Sequence, residues 1–481
     1  MIGEEVLFSP IREIGAHLRA KRLSAVDLAQ WSLLRLEAIG PKLGALVTVT
    51  RERALAQAHR ANQELLAGRD RGPLHGIPYG AKDLLATKGI PTTWGAEPLR
   101  GQVFDEDATV VQRLEEAGAV LVAKLAMVEL AGGLGYNNPD ASFTGPGRTP
   151  WNPDHWSGGS SSGSAAAVAA GLVPFAIGSE TSGSIVTPAA FCGVTGLRPT
   201  YGLVSRHGAM ALCWTLDKLG VLAHGADDCG IVLSAIAGPD PHDPTTGEAF
   251  RYRERPTKTG RPGPRFKVGV LRDATVDTDP EVESHFRQAL AALRDVADLE
   301  DDVPFPDLPY REAVGVIVDA EGAAAFRDLI ESGKVKRLRD ASDRVGGYAM
   351  MMTRAVDYVD AMRARVAMRA ELDALLSRYD ALLAPARARL APPIGRDFDA
   401  PAPGTPPAPE PAPDAPRPPA TIPAGNLAGL PAVAVPMGFG RNRLPTSLQL
   451  LGRAFSEDTL LALAVAYQEM TDWHRRRPPG V

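Results

Sequence analysis

Residues 156–197 read Trp156-Ser-Gly-Gly-Ser160-Ser-Ser-Gly-Ser164-Ala-Ala-Ala-Val168-Ala-Ala-Gly-Leu172-Val-Pro-Phe175-Ala-Ile-Gly-Ser179-Glu180-Thr-Ser-Gly-Ser184-Ile-Val-Thr-Pro188-Ala-Ala-Phe191-Cys192-Gly-Val-Thr-Gly-Leu197. These 42 residues carry one formal charge, Glu180. An uncharged run this long raises a transmembrane reading. Its serines and glycines, together with Pro174, make it too polar and too broken for a membrane helix. It reads instead as a Gly/Ser loop, a small-residue helix near 164–171, a buried strand over 172–178, and a second loop. Such a stretch belongs at the centre of the molecule.

Outward from it, apolar periodicity predicts helices near 10–20, 25–38, 50–67 and 107–118. Gly72-Pro-Leu-His-Gly-Ile-Pro78 is a turn-rich entry into a short apolar segment, and 119–123 reads as a buried strand. Downstream, a charged linker is expected at 250–265, a strand at 267–271 and a helix over 280–298. Residues 310–378 read as largely helical, 381–384 as a short strand, and 456–471 as a final helix. Helix and strand segments alternate, which predicts an α/β architecture. Between Pro392 and Pro419, 12 of 28 residues are proline. That composition prefers extended or disordered chain, as an exposed loop, a flap over a site or a ligand for a partner.

Composition narrows the function classes. The 481 residues include 52 Lys and Arg against 57 Asp and Glu, a net charge of −5. Nucleic-acid binders usually carry a basic excess, so no nucleic-acid partner is expected. No membrane association is expected either. Cys192, Cys213 and Cys229 form neither a disulfide framework nor a zinc motif, which fits a cytoplasmic setting. The acidic start, Met1-Ile-Gly-Glu-Glu5, shows no signal peptide. The nine histidines form no metal motif. No phosphate loop and no strand-linked G-x-G-x-x-G is found, so no metal or cofactor is expected.

Three segments could carry chemistry. Gly158-Gly-Ser160-Ser-Ser-Gly-Ser164 could be a flexible linker, but it leads straight into an apolar segment. It also fits the G-x-S-x-G elbow, which requires a strand just before it. The preceding Thr149-Pro-Trp-Asn-Pro-Asp-His155 holds two prolines and cannot be a central strand. Gly178-Ser-Glu-Thr-Ser-Gly-Ser-Ile185 follows the buried strand, and its small residues would let several N–H groups face one concavity. Lys82 sits in a mostly apolar segment. A lysine there is usually a surface group or an aspartate partner; a buried one would have a depressed pKa and could act as a base.

Taken in this order, the segments resemble the amidase signature family. The resemblance rests on Gly76–Asp83, Gly118–Lys124, Asn152-Pro153, Gly158–Gly171, Gly178–Pro188, Ala190–Gly202, Asn426–Pro436 and Leu448–Arg453. It implies one amidase signature domain over 1–481 with a central mixed β-sheet covered by helices on both faces. The family-type core would be about 70–235 and 421–471, with a variable helical region at about 300–380 and the proline-rich loop at 392–419. It implies a Ser–cis-Ser–Lys triad: Ser184 as nucleophile, Ser160 as bridging serine after a cis peptide, and Lys82 as base. The backbone N–H groups of Thr181, Ser182, Gly183 and Ser184 would form the oxyanion hole. Met127, Gly132 and Gly133 are candidate substrate contacts. Lys82 must be neutral for this role; lowering its pKa from 10.4 to about 7.5 costs roughly 4 kcal/mol.

The chain departs from the family pattern at Ser162 and Ser182, usually Gly, and at Glu180, usually Asp. A left-handed Ser182 would cost about 1–2 kcal/mol. Many relatives carry Arg two residues after the nucleophile; Val186 here argues against an acidic substrate and towards a neutral, apolar one. The expected activity is hydrolysis of neutral amides, with carbamates and esters alongside, by a monomer or homodimer. The alternatives are a glutamine-hydrolysing subunit of a tRNA-dependent amidotransferase, which needs obligate partner chains, and a non-catalytic binding protein on the same fold.

Overall fold

The computed structural model describes residues 2–253, 265–398 and 416–480. The linker expected at 250–265 and the proline-rich segment 392–419 therefore lie largely outside the described residues.

Among the described residues, eleven strands form one mixed sheet. In chain order they are β1 (Leu46–Val49), β2 (Pro78–Lys82), β3 (Val120–Leu125), β4 (Phe175–Glu180), β5 (Thr195–Arg198), β6 (Lys218–Ala223), β7 (Phe266–Leu271), β8 (Ala297–Val303), β9 (Ala381–Pro385), β10 (Ala432–Phe439) and β11 (Pro445–Leu451). Their spatial order is β1-β3-β2-β4-β6-β5-β10-β11-β9-β7-β8. β2 is parallel to both β3 and β4, and β7 to both β8 and β9; the other pairs are antiparallel.

Burial explains the sequence pattern. β2, β3, β4 and β6 are buried at every position, so they read as unbroken runs rather than alternations. Helices flank the sheet: Arg51–Leu66 packs on β3, Ser162–Ala169 on β2, β4 and β6, and Pro280–Leu293 on β10 and β11. The edge strand β8 is different. Its middle residues Glu300, Asp301 and Asp302 are exposed. The helix expected over 280–298 ends at Leu293, and the chain then returns as β8.

The central stretch folds as a loop, helix and strand, with shifted bounds. The helix spans Ser162–Ala169, and Gly171 (φ 60°) turns the chain while Leu172 N–H donates to the Ala167 carbonyl at 2.9 Å. The strand then runs Phe175–Glu180, so Ser179 and Glu180 belong to it. Gly163 lies where a Cβ would meet the Ala45 carbonyl at 2.4 Å and the Ala126 nitrogen at 2.5 Å, so only glycine lets the helix approach so closely.

Candidate active site

Parallel pairing of β2 and β4 builds the site. Tyr79, Gly80 and Ala81 are level with Phe175, Ala176 and Ile177, and the Tyr79 and Phe175 rings stack at 5.3 Å across that register. Lys82, the last residue of β2, is thereby brought beside Ser179 near the end of β4. Loops at the carboxyl ends of parallel strands are where α/β sheets open into a crevice.

Lys82 is fully buried. Its Nζ lies 2.7 Å from Ser160 Oγ, 2.9 Å from Ser179 Oγ and 3.0 Å from Ser161 Oγ. Among the described residues no carboxylate pairs with it. Burial pushes its pKa down to about 7, against the opposing pull of the Asp217 and Glu180 charges. The Gly159–Ser160 peptide is cis. The Ser160 carbonyl accepts from Val128 N–H at 3.1 Å, and Ser161 N–H donates to the Ser184 carbonyl at 3.3 Å. The second bond ties the Gly/Ser loop to the segment that follows β4.

That segment hangs from Glu180. Oε2 accepts the N–H groups of Ile185 and Val186 at 2.8 and 2.9 Å. Oε1 accepts from Arg198 Nη1 at 2.8 Å and Asn426 Nδ2 at 2.7 Å. Burial alone would raise the Glu180 pKa; Arg198 and the other donors overcome it and hold the group at about 2. On the other side, Thr181 Oγ1 donates to Asp217 at 2.6 Å. Held at both ends, the loop leaves the N–H groups of Thr181, Ser182, Gly183 and Ser184 without an acceptor among the described residues. Its left-handed residue is Gly183 (φ 95°), and Ser182 is not among the residues of positive φ. The strain anticipated at Ser182 is therefore not incurred.

Ser184 opens onto a cavity of about 470 Å³. Tyr136, Trp156, Phe191 and Phe398 form its aromatic wall; the Trp156 and Phe398 rings lie 4.6 Å apart and those of Tyr136 and Phe398 5.6 Å. Gly132, Ser182 and Val318 also line it, with Arg387 and Arg389 along one side. Gly133 packs against Leu212 and Phe326 instead, and Met127 is fully buried in the core; neither lines this cavity. The described flanks of the proline-rich segment contribute Pro392 and Phe398.

The structure thus gathers Lys82, Ser160 and Ser184 with the 181–184 loop in one place. A neutral amine next to serine hydroxyls can accept a proton, and free N–H groups can hold a developing oxyanion. The sequence reading missed the Glu180–Arg198–Asn426 network and the contacts of Ser161 and Ser179 with Lys82. A signal for the first was present: the lone charge in a 42-residue stretch demands a buried partner.

The amidase family model matches residues 27–461. The chain belongs to the amidase signature family. Among curated relatives, a glutamyl-tRNA(Gln) amidotransferase subunit of Roseiflexus sp. is 39% identical over 479 residues, spanning 95% of each chain. The corresponding protein of Picosynechococcus sp. is 35% identical over 496 residues, 98% of this chain and 99% of the relative. Among solved structures, the native peptide amidase from Stenotrophomonas maltophilia superposes with a TM-score of 0.83 at 31% identity, covering 99% of both chains. The glutamyl-tRNA(Gln) amidotransferase subunit from Thermotoga maritima gives a TM-score of 0.76 at 30% identity, over 98% of this chain and 96% of that one. Membership makes this chain a C–N hydrolase of the family. No helix among the described residues is long and apolar enough to cross a membrane.

Proposed function

We propose that the chain hydrolyses amides through an acyl-enzyme on Ser184. The observation that carries this is Lys82: fully buried, without a carboxylate partner among the described residues, and 2.7 Å from Ser160 Oγ. Neutral Lys82 takes the proton of Ser160 as Ser160 takes that of Ser184, and Ser184 Oγ attacks the carbonyl carbon. The N–H groups of the 181–184 loop hold the resulting oxyanion. The proton returns through Ser160 to the leaving nitrogen as the C–N bond breaks. Water then releases the acyl group by the same relay, restoring Ser184.

Two readings of the substrate follow. The curated relatives weigh towards hydrolysis of glutamine as one member of an amidotransferase complex. The aromatic cavity wall favours a bulkier acyl or amine group, as in a free-standing amidase, with carbamates and esters as further substrates. One experiment addresses both. Chromogenic anilides, carbamates and esters, and separately L-glutamine, are given to wild type and to Ser184→Ala. Aniline or phenol release by the wild-type chain alone supports the free-standing enzyme. Ammonia release from glutamine only when the other amidotransferase chains are added supports the other. Equal rates for wild type and Ser184→Ala would remove the acyl-enzyme.

A further inference from the structure

Arg387 follows β9 and lines two adjoining cavities, the one at Ser184 and a neighbour of about 520 Å³. Ser182, Val318 and Arg389 also line both. The three arginines of these cavities are not equivalent. Arg389 is neutralised by Asp277 at 2.5 Å and Asp279 at 3.7 Å. Arg311, in the neighbouring cavity, has no ion pair or side-chain hydrogen bond among the described residues. Arg387 has none among them either; the Phe191 ring lies beside it, 5.8 Å from the guanidinium carbon to the centroid. The crowded walls of the cleft lower its pKa, and the nearby Arg311 charge lowers it further against the opposing effect of Tyr136. A guanidinium without an acceptor among the described residues, beside a second cation and next to the serine loop, is arranged for an anion.

We propose that Arg387, with Arg311 behind it, binds a carboxylate carried by the amide substrate. The Phe191 ring flanks the guanidinium at 5.8 Å, leaving its N–H groups to form a two-pronged bond with the carboxylate oxygens. The neutral substrate expected from Val186 is not kept: the cation usual two residues after Ser184 is missing, but Arg387 and Arg311 supply positive charge from the cavity walls. The charge that reads the substrate is on the cavity wall, so the carboxylate lies away from the bond being cut. The substrate class is an amide with an aromatic or apolar body and a distal carboxylate, on either the acyl or the amine portion. The inference rests on the hydrolase reading above and names its substrate class.

The test uses two matched series of anilides: one with a terminal carboxylate on the acyl chain, the other on the aniline ring, each beside its methyl ester. The quantity read is the acid-to-ester ratio of kcat/KM in wild type, Arg387→Ala, Arg387→Gln and Arg387→Lys. Wild type should prefer the acid in one series. Arg387→Ala and Arg387→Gln should lower that ratio about 10- to 100-fold, mostly through KM, with Arg387→Lys between them. Arg311→Ala should lower it by less. Preference for the ester in both series, or a ratio that moves less than twofold in Arg387→Ala, overturns the proposal. Calorimetric binding of the same acids and esters to Ser184→Ala separates the two claims. Arg387-dependent binding of the acid without any turnover in wild type would sustain the carboxylate site and count against the hydrolase. Turnover with no acid preference would do the reverse.

Discussion

In the proposed mechanism Lys82 concentrates the chemistry in one side chain. Holding its pKa near 7 rather than 10.5 corresponds to roughly 5 kcal/mol of disfavoured charge. Its base form grows in as pH rises, so kcat/KM should climb through an apparent pKa near 7 and level off above about 8. A flat profile from pH 6 to 10 with chemistry rate-limiting would contradict the lysine base. The three serine oxygens around Nζ accept from the charged form, so losing one destabilises that form further. Ser179→Ala should therefore move the profile to lower pH by roughly half to one unit. Ser184→Ala should reduce turnover roughly 10,000-fold or more while changing unfolding stability by less than about 1 kcal/mol. Composition singled out the two Gly/Ser segments and the apolar setting of Lys82, but the choice of Lys82, Ser160 and Ser184 as one group came from the family resemblance. Ser161 and Ser179 were not legible, because a serine in a run of serines gives no sign of which way its hydroxyl points.

The loop between β4 and the helix Val186–Cys192 shows what an element can hold that a motif cannot reveal. Glu180 pins the loop from below through two backbone N–H groups, and Arg198 and Asn426 bring β5 and the helix Thr421–Ala428 to the same carboxylate. Glu180→Gln should cost roughly 3–5 kcal/mol in denaturant unfolding, since it leaves the Arg198 charge buried without its partner. Its folded pKa lies below its unfolded value, so its contribution is fully present above about pH 4.5 and is lost as pH falls towards 2. Acid titration of the wild type and of Glu180→Gln should converge below that range. From sequence the strand ends at Gly178, because Ser179 and Glu180 look like loop residues. They remain in β4 because each has a buried partner. The short strands β1 and β5, four residues each, have no periodicity to betray them. The first two residues of β8 fall within the helix expected over 280–298, and the acidic run after them, Leu299-Glu-Asp-Asp302, shows no strand pattern.

Across the molecule, α/β alternation was legible from the sequence, but strand order was not. The central stretch shows that one strand is buried on both faces; it does not say which strands lie beside it. Lys82 and Ser179 are 97 residues apart in the chain and meet only because β2 and β4 are neighbours. The cavity walls were harder still. They draw on Tyr136, Phe191, Val318 and Arg387, which come from four separate parts of the chain. At this scale the acidic strand β8 acquires a meaning of its own. A sheet of eleven strands ends in a row of free peptide groups, and any passing extended chain can add to such a row. Here that row carries Asp298, Glu300, Asp301 and Asp302, each ion-paired with an arginine. Every approaching copy meets a charged fringe that would have to be stripped of water before a new rung could form. The strand that looked least like a strand is one whose charges oppose edge-to-edge pairing with a further chain.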